Sequence, residues 1–422
     1  MRILFVNKYN YIKGGSETYL FGLKDRLEKE GHETAVFSMK DDKNFSSKYS
    51  DDFVNAIDYE NSNMLIKIKN GMNLIYSFEA INKIEDVIKD FNPDVVHLNL
   101  IYHQITPSII NKINKLNIPI VLVVHDYKII CPNYKMYNDD KICNKCIGGN
   151  FISCTTNKCH KDSYIDSALL TIEAYTHKTL KSYNAVDEFI FPSNYIKEQF
   201  LKSYFSKRNK EKFTHIPNFV SSDYYDFKFK NQDIKKKRQI LYYGRLSKEK
   251  GVDLLIEAVE RLESKVTLKI VGLGPEERML KEYVVNKKIE NVEFCGFKSG
   301  DDLKEIISES MFVVLPSTWP EVFGLTNIES LALGTPIIGS NIGGISELIT
   351  KEVGFLFEPG NLNDLVTQLN FALSLNDEEY IIMQNKCIEN SKNYCIDDYY
   401  FSILKVYNQA IRKRGLKSGQ LQ

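Results

Sequence analysis

No apolar run of about 18 residues occurs in this chain of 422, which excludes a membrane-spanning helix. A charge of one sign is also missing: 55 Lys+Arg stand against 55 Asp+Glu. Nothing therefore favours a polyanion such as nucleic acid as partner. The N-terminal apolar run, residues 3–6, is too short for the core of a secretory signal, and a turn follows it directly. The expected compartment is the cytosol. Tryptophan is nearly absent, with Trp319 alone, whereas 25 Tyr and 24 Phe are assigned to packing. There is no solenoid repeat and no low-complexity tract. What remains is ordinary globular composition, 43% hydrophobic and 26% charged. That excludes a disordered chain, and the length corresponds to two or three domains.

The order of elements is that of a parallel sheet. Residues 3–6 form a short apolar strand, Gly14-Gly15-Ser16-Glu17 a turn, and an amphipathic stretch runs to about Glu30. Residues 34–37 make the next strand, which completes a βαβ unit. Continuous apolar runs at 94–97, 118–124 and 188–191 extend the series, as expected for strands covered on both faces. A second series begins at 240–243, which ends in Gly244-Arg245. It continues through a helix at 252–262 and strands at 268–271, 292–294, 312–315 and 336–338. The polar, Lys-rich stretch 218–237 suits a linker. A helix is expected over 397–412 and a frayed tail over 415–422. The fold class predicted is α/β, with two doubly wound domains facing each other.

In such sheets ligands bind beyond the carboxyl ends of the strands. Gly244-Arg245 lies at such an end, and Lys248 and Lys250 precede a helix that starts near Gly251. Cations beside a helix N-terminus suit a pyrophosphate, although a solvated basic turn reads the same way locally. Gly14-Gly15 also follows a strand and opens a helix, where backbone N–H groups can approach an anion. Gly272-Leu273-Gly274 lacks the third glycine of a dinucleotide fingerprint, because Glu277 stands there, so a nicotinamide cofactor is discounted. The richest stretch runs from Pro316 to Glu329. Glu321 lies in its turn, and Glu329 sits about 12 Å further along a helix. That spacing matches the span from a sugar to a ribose. The alternative is one acid at a helix start and one exposed helical Glu.

Glu321-x7-Glu329, followed by Gly334-Thr335-Pro336 and Gly343-Gly344-Ile345-Ser346-Glu347, resembles the nucleotide-sugar site of retaining GT-B glycosyltransferases of family 4. Gly14-Gly15-Ser16-Glu17, His125-Asp126, Pro192-Ser193, Ile216-Pro217-Asn218, Gly244-Arg245 with Lys250-Gly251, and Gly272-x-Gly274 fall in that family's order over nearly the whole chain. The resemblance implies two facing Rossmann-like domains with a C-terminal crossover helix. The first covers 1–217, the linker 218–237, the nucleotide-sugar domain 238–395, and 396–414 is the helix that packs back on the first. It implies that Arg245 and Lys250 hold the donor diphosphate and stabilise the leaving group. Glu321 would hold the transferred sugar, Glu329 the ribose diol, and Cys295-Gly296-Phe297 the base. Gly244 and the backbone around Phe323, Gly324 and Leu325 would line the donor site. Gly15 would approach the diphosphate, and His125 would sit near the reacting sugar. His125 also reads as a buried, hydrogen-bonded strand-end residue. A UDP- or GDP-linked sugar is the implied substrate, and no cofactor is required for catalysis. The acceptor is a glycan or lipid-linked glycan, as in bacterial surface polysaccharide assembly (capsule or lipopolysaccharide).

Five of the eight cysteines fall within residues 131–160. Cys143-x2-Cys146 has knuckle spacing, and with Cys154 and Cys159 it could close a tetrahedral structural zinc site. Cys131 or His160 are substitutes. Reduced thiols, disulfides and an iron–sulfur cluster are the alternatives, and a reducing cytosol disfavours disulfides. Subgroups of the family resemble this chain in carrying such an insertion. From Lys128 to Lys161 there are six lysines against Asp139 and Asp140. This basic loop is a candidate for contact with an anionic lipid surface or a lipid-linked pyrophosphate, against a purely solubilising role. It extends the expected location to the inner face of the membrane. Two other readings of the chain remain: an epimerase or phosphorylase of the same architecture, and a nucleotide-sugar sensor or scaffold without turnover.

Overall fold

The computed structural model describes residues 1–56 and 73–419. It divides into two units. The first comprises residues 1–136, 143–217 and 399–422; the second comprises 137–142 and 218–398.

The first unit is built on a six-stranded parallel sheet. Its strands are β1 (Arg2–Val6), β2 (Glu33–Phe37), β3 (Val95–Leu98), β4 (Ile120–Val123), β7 (Glu188–Phe191) and β8 (Phe213–His215). Their spatial order is β2-β1-β3-β4-β7-β8. Side chains on both faces of β1, β3 and β4 are buried, because helices cover both sides of a parallel sheet. The chain leaves β1 toward β2 and leaves β3 toward β4. The turn after β1, with Gly14-Gly15, therefore opens at the point where the strand order reverses.

The second unit repeats the plan. Its strands are β9 (Lys237–Tyr243), β10 (Thr267–Val271), β11 (Val292–Gly296), β12 (Ser310–Leu315), β13 (Ile337–Ser340) and β14 (Gly354–Phe357). The order is β11-β10-β9-β12-β13-β14, every neighbouring pair parallel. Here the reversal falls between β9 and β12. The two richest stretches of the sequence, Gly244–Lys250 after β9 and Pro316–Glu321 after β12, thus follow adjacent strands.

Strands β8 and β14 were not expected from the sequence, being short and lacking clear flanking signals. The stretch 218–237 differs from a linker. It groups with the second unit and carries a helix, Ser222–Lys230, whose Tyr224 and Phe227 pack against a core cluster with Leu241, Tyr243 and Val313. Lysines at 228 and 230 hide this apolar face in a composition-based reading.

The C-terminal helix spans Ile396–Gly419, beyond the expected end at 412 and into the stretch read as tail. From Tyr399 onward it groups with the first unit. Tyr407 Oη lies 2.7 Å from His97 Nδ1, and Tyr399 Oη 2.5 Å from Tyr19 Oη. Arg414 donates to Asp187 Oδ2 (2.9 Å), Asn114 Oδ1 (2.6 Å) and Ala185 O (2.9 Å). Arg414 and Asp187 are 8% and 4% exposed. Removing one partner of such a pair strands a buried charge. Arg414→Ala is therefore expected to destabilise the first unit by about 3 kcal/mol, measured as a downward shift of its denaturant midpoint.

Candidate functional site

In the second unit the site is assembled at the carboxyl ends of β9 and β12. β9 delivers Tyr243, Gly244 and Arg245; a 3₁₀ turn, Lys248–Lys250, then leads into the helix Val252–Glu260. Arg245 is exposed and forms no salt bridge among the described residues. The glycines at 272 and 274 have a structural purpose here. A Cβ on Gly272 would stand 1.9 Å from Gly244 O, and one on Gly274 would stand 2.1 Å from Leu246 O. Their bareness lets the Arg245 loop rest on the end of β10.

β12 delivers Pro316-Ser317-Thr318-Trp319-Pro320-Glu321. Lys250 Nζ lies 2.9 Å from Glu321 Oε1, with side chains 22% and 13% exposed. Ser317 Oγ donates to the same carboxylate oxygen, and Lys250 Nζ lies 5.7 Å from the centre of the Trp319 ring. Two residues expected to bind different parts of a donor thus neutralise one another. The helix Leu325–Ala332 begins at Gly324, whose φ of 90° is in the left-handed region. No side chain caps that N-terminus, so its first amides stay available to an anion. Fully buried Asn327 lies beneath it, both amide atoms without a partner among the described residues; Trp319 Nε1 is likewise unpaired. Buried polar atoms seldom remain so.

Glu329 sits inside this helix, partly buried. Tyr243 Oη donates to its Oε2 (3.2 Å), and Tyr224 hydrogen-bonds it too. Burial outweighs these bonds and raises its pKa to about 7. Phe323 turns inward to pack with Val220, Ile328, Ala332 and Leu348, leaving only its backbone for a ligand. Cys295 and Gly296 end β11, and Phe297 follows it. Gly272 N bonds Gly296 O at 2.8 Å, and the Phe297 ring is 69% exposed. Sequence reasoning missed Tyr224, Tyr243 and Ser317. Only the apolar spacing within 222–230 could have signalled Tyr224.

The insertion contributes a hairpin to this unit, β5 (Tyr137–Asn138) with β6 (Lys141–Ile142). Tyr137 Oη lies 2.7 Å from Thr318 Oγ1, and Lys248 Nζ lies 2.9 Å from Asp140 Oδ2. Both contacts fall on residues that flank the Lys250–Glu321 pair.

In the first unit, Gly14 is extended (φ −168°), and a Cβ there would meet only Glu17 Oε2 at 3.8 Å. The fold itself does not demand glycine at that position. Gly15 opens the helix Gly15–Lys29 with its backbone exposed. Glu17 is buried and accepts from Asn7 Nδ2 at 3.0 Å. His125 follows β4, its Nε2 2.8 Å from Asn99 Oδ1 and its ring edge-on to Tyr19. Burial lowers its pKa to about 3, so the imidazole is neutral at physiological pH.

The zinc assignment is corrected. Among the described residues no group of three or more His, Cys, Asp or Glu is placed to hold a metal ion. Cys146 and Cys154 instead pack with Phe151 and Leu170, and Cys159 lies against that cluster. The thiols of Cys154 and Cys159 hydrogen-bond one another. Burial pushes Cys146 up to about 12 and Cys131 to about 11, and the neighbouring thiols of Cys143 and Cys159 add to both shifts. Cys143 sits at the hairpin base, its N–H bonded to Met136 O at 2.9 Å. All eight cysteines are free thiols.

Two six-stranded parallel sheets, one carrying this cluster of acids and bases at its switch point, define the GT-B class of sugar-transferring enzymes. Residues 13–224 match Glycosyltransferase Family 4 and residues 224–394 match Glycosyl transferases group 1. The chain belongs to glycosyltransferase family 4. An uncharacterized 42.6 kDa protein in the cps region of Klebsiella pneumoniae is 25% identical over 393 residues, 90% of this chain and 95% of that one. Two further curated relatives are matched over only 47% and 46% of their length. Among solved structures, a glycosyltransferase from Rickettsia africae superposes with a TM-score of 0.66 at 21% identity, over 97% of this chain and 98% of that one. Anabaena Alr3699/HepE in complex with UDP gives 0.63 at 18%, over 97% and 100%. These likenesses establish the fold.

The raised pKa of Glu329 has a consequence for stability. Its folded value, about 7, exceeds its ordinary value of 4.5, so the folded state binds the extra proton between those pH values. Stability falls as pH rises from about 4.5 through 7, by on the order of 3 kcal/mol at most. Glu329→Gln is expected to flatten that slope. Melting temperatures should coincide at pH 5, and the variant should melt higher at pH 8.

Proposed function

We propose that the second unit binds a nucleotide-sugar, UDP- or GDP-linked, and that the enzyme transfers its sugar with retention to a glycan or lipid-linked acceptor in surface polysaccharide assembly. The observation that carries this is the meeting of Lys250, Ser317 and Glu321, with Arg245 unpaired on the same loop, at the ends of adjacent strands β9 and β12. The UDP bound by the Anabaena protein and the cps location of the Klebsiella relative support the substrate class and the pathway.

On this reading, the donor exchanges the Lys250–Glu321 pair for better partners. Lys250 and Arg245 take the diphosphate, joined by the open amides at Gly324 and Leu325. Glu321 accepts from hydroxyls of the sugar. Glu329, braced by Tyr243 and Tyr224, accepts from the ribose diol, and Cys295, Gly296 and Phe297 lie against the base. For Gly15 and the neutral His125 of the first unit, the proposal adopts the roles that the family resemblance implies. The bond from anomeric carbon to leaving phosphate breaks, and the acceptor oxygen bonds the same face. Its proton passes to that phosphate, whose charge Arg245 and Lys250 stabilise. None of these steps calls on a metal-bound group.

Trp319, the only tryptophan, stands beside Lys250 and should report donor binding by fluorescence. Titration with UDP-, GDP-, ADP- and TDP-sugars should give a change with one base class. Arg245→Ala and Glu321→Ala should each lower nucleotide release by about 10²–10³-fold. A folded protein that ignores every donor, with acceptor present, would sink the reading. Binding without turnover would favour the sensor instead. Affinity also depends on pH. The diol needs the Glu329 carboxylate, so affinity should drop as pH falls below about 7, approaching tenfold per unit. The fluorescence titration repeated with Glu329→Gln should be weaker and lose this dependence.

A further inference from the structure

The helix Tyr164–Thr179 of the first unit has an outer face that its own fold leaves unexplained. Its inner face is buried through Ser167, Leu170, Thr171, Glu173 and His177. The opposite side should then be polar on an ordinary surface helix. It is apolar instead: Ile165 is 83% exposed, Ile172 54%, and Leu180, just past the helix end, 47%. Ile165 and Ile172 are seven residues apart and share one face. Ile165 to Leu180 spans about 22 Å along the axis. Tyr164 precedes the row at 59% exposed, and the adjoining helix adds Ile152 at 56%. Single exposed apolar residues are ordinary, but an aligned row marks an interaction surface.

Charge says what it meets. Lys161 precedes the helix and Lys181 follows the row at its other end, while Lys158 faces Asp162 and the Tyr164 ring, and Lys178 is turned onto Gly149 O. The helix's single glutamate, Glu173, is turned inward onto Lys128 at 2.7 Å, both residues buried. That removes an acid from the outer side and leaves Asp162 and Asp166, both near the N-terminal end, as the remaining counter-charges. A narrow apolar ridge with lysines at both ends is complementary to an anionic bilayer, whose headgroups attract the cations while the acyl boundary takes the isoleucines.

We propose that this face of the helix Tyr164–Thr179 is the surface by which the protein docks on an anionic lipid membrane. The inference rests on the proposed transfer reaction for its purpose, since a lipid-linked acceptor resides at such a surface. Its test needs no donor and so fails separately. Flotation with phosphatidylcholine vesicles should show little binding, and vesicles containing phosphatidylglycerol should bind the full-length protein, less so at high salt. Ile165→Asp and Ile172→Asp should each weaken binding at least tenfold. Lys161→Asn and Lys181→Asn should cost about fivefold each. All four should keep donor binding, read from Trp319, unchanged. Absent binding to anionic vesicles would overturn the proposal, as would undiminished binding by Ile165→Asp. A concentration-dependent dimer that Ile165→Asp dissolves would also overturn it, and would assign the face to a second copy of the chain.

Discussion

Everything chemical in the second unit depends on one constraint, the burial of its parallel sheet on both faces. Covered strands leave only their ends for ligands. The order β11-β10-β9-β12-β13-β14 sends the chain in opposite directions after β9 and β12, so the loops that follow diverge and open a crevice. Gly244–Lys250 and Pro316–Glu321 are far apart in sequence, yet they follow adjacent strands. The glycines at 272 and 274 serve the same arrangement by letting the Arg245 loop settle on β10. The first sheet obeys the same rule and brings Gly14-Gly15 to its own switch point.

The charged side chains after β9 and β12 are held in different ways. Lys250 and Glu321 offset each other, which lowers the cost of keeping two partly buried charges. Arg245 stays in solvent, where it is hydrated. Glu329 is treated differently. Its tyrosine partners hold it in place without supplying a cation, and burial keeps it near half-protonated at neutral pH. One carboxylate is thus poised by an ion pair and the other by desolvation, although the sequence presents them as a symmetrical pair eight residues apart.

The Cys-rich insertion also serves the fold in a way its spacing did not suggest. Three of its thiols, those of Cys146, Cys154 and Cys159, gather around Phe151 and Leu170 as apolar filling, in keeping with the tendency of free cysteine to bury as a small hydrophobe. Its hairpin reaches Thr318 and Lys248, the neighbours of Trp319 and Lys250. The hairpin Tyr137–Ile142 is therefore tied to the loops that follow β9 and β12 through side-chain hydroxyl and charge contacts.

By itself the sequence determined the class of fold, because buried parallel strands write continuous apolar runs and their turns carry glycine. It also marked Arg245, Lys250, Glu321 and Glu329, since the motifs around them are local and contiguous. Local spacing does not carry what lies across the chain. Tyr224 was hidden in a lysine-rich stretch, and its bond to Glu329 exists only because the helix Ser222–Lys230 packs on the core. Cys143-x2-Cys146 has the spacing of a metal knuckle, but spacing does not say how deep each thiol lies: Cys146 is buried in the cluster with Phe151 and Leu170, whereas Cys143 stays half-buried outside it. The outer face of Tyr164–Thr179 likewise became visible only when its inner face was seen buried, because a helix apolar on two sides reads in sequence as one that is simply hydrophobic. Tertiary structure decided these matters because each depends on which surface is withdrawn from water, and burial is a property of the folded neighbours rather than of the residue.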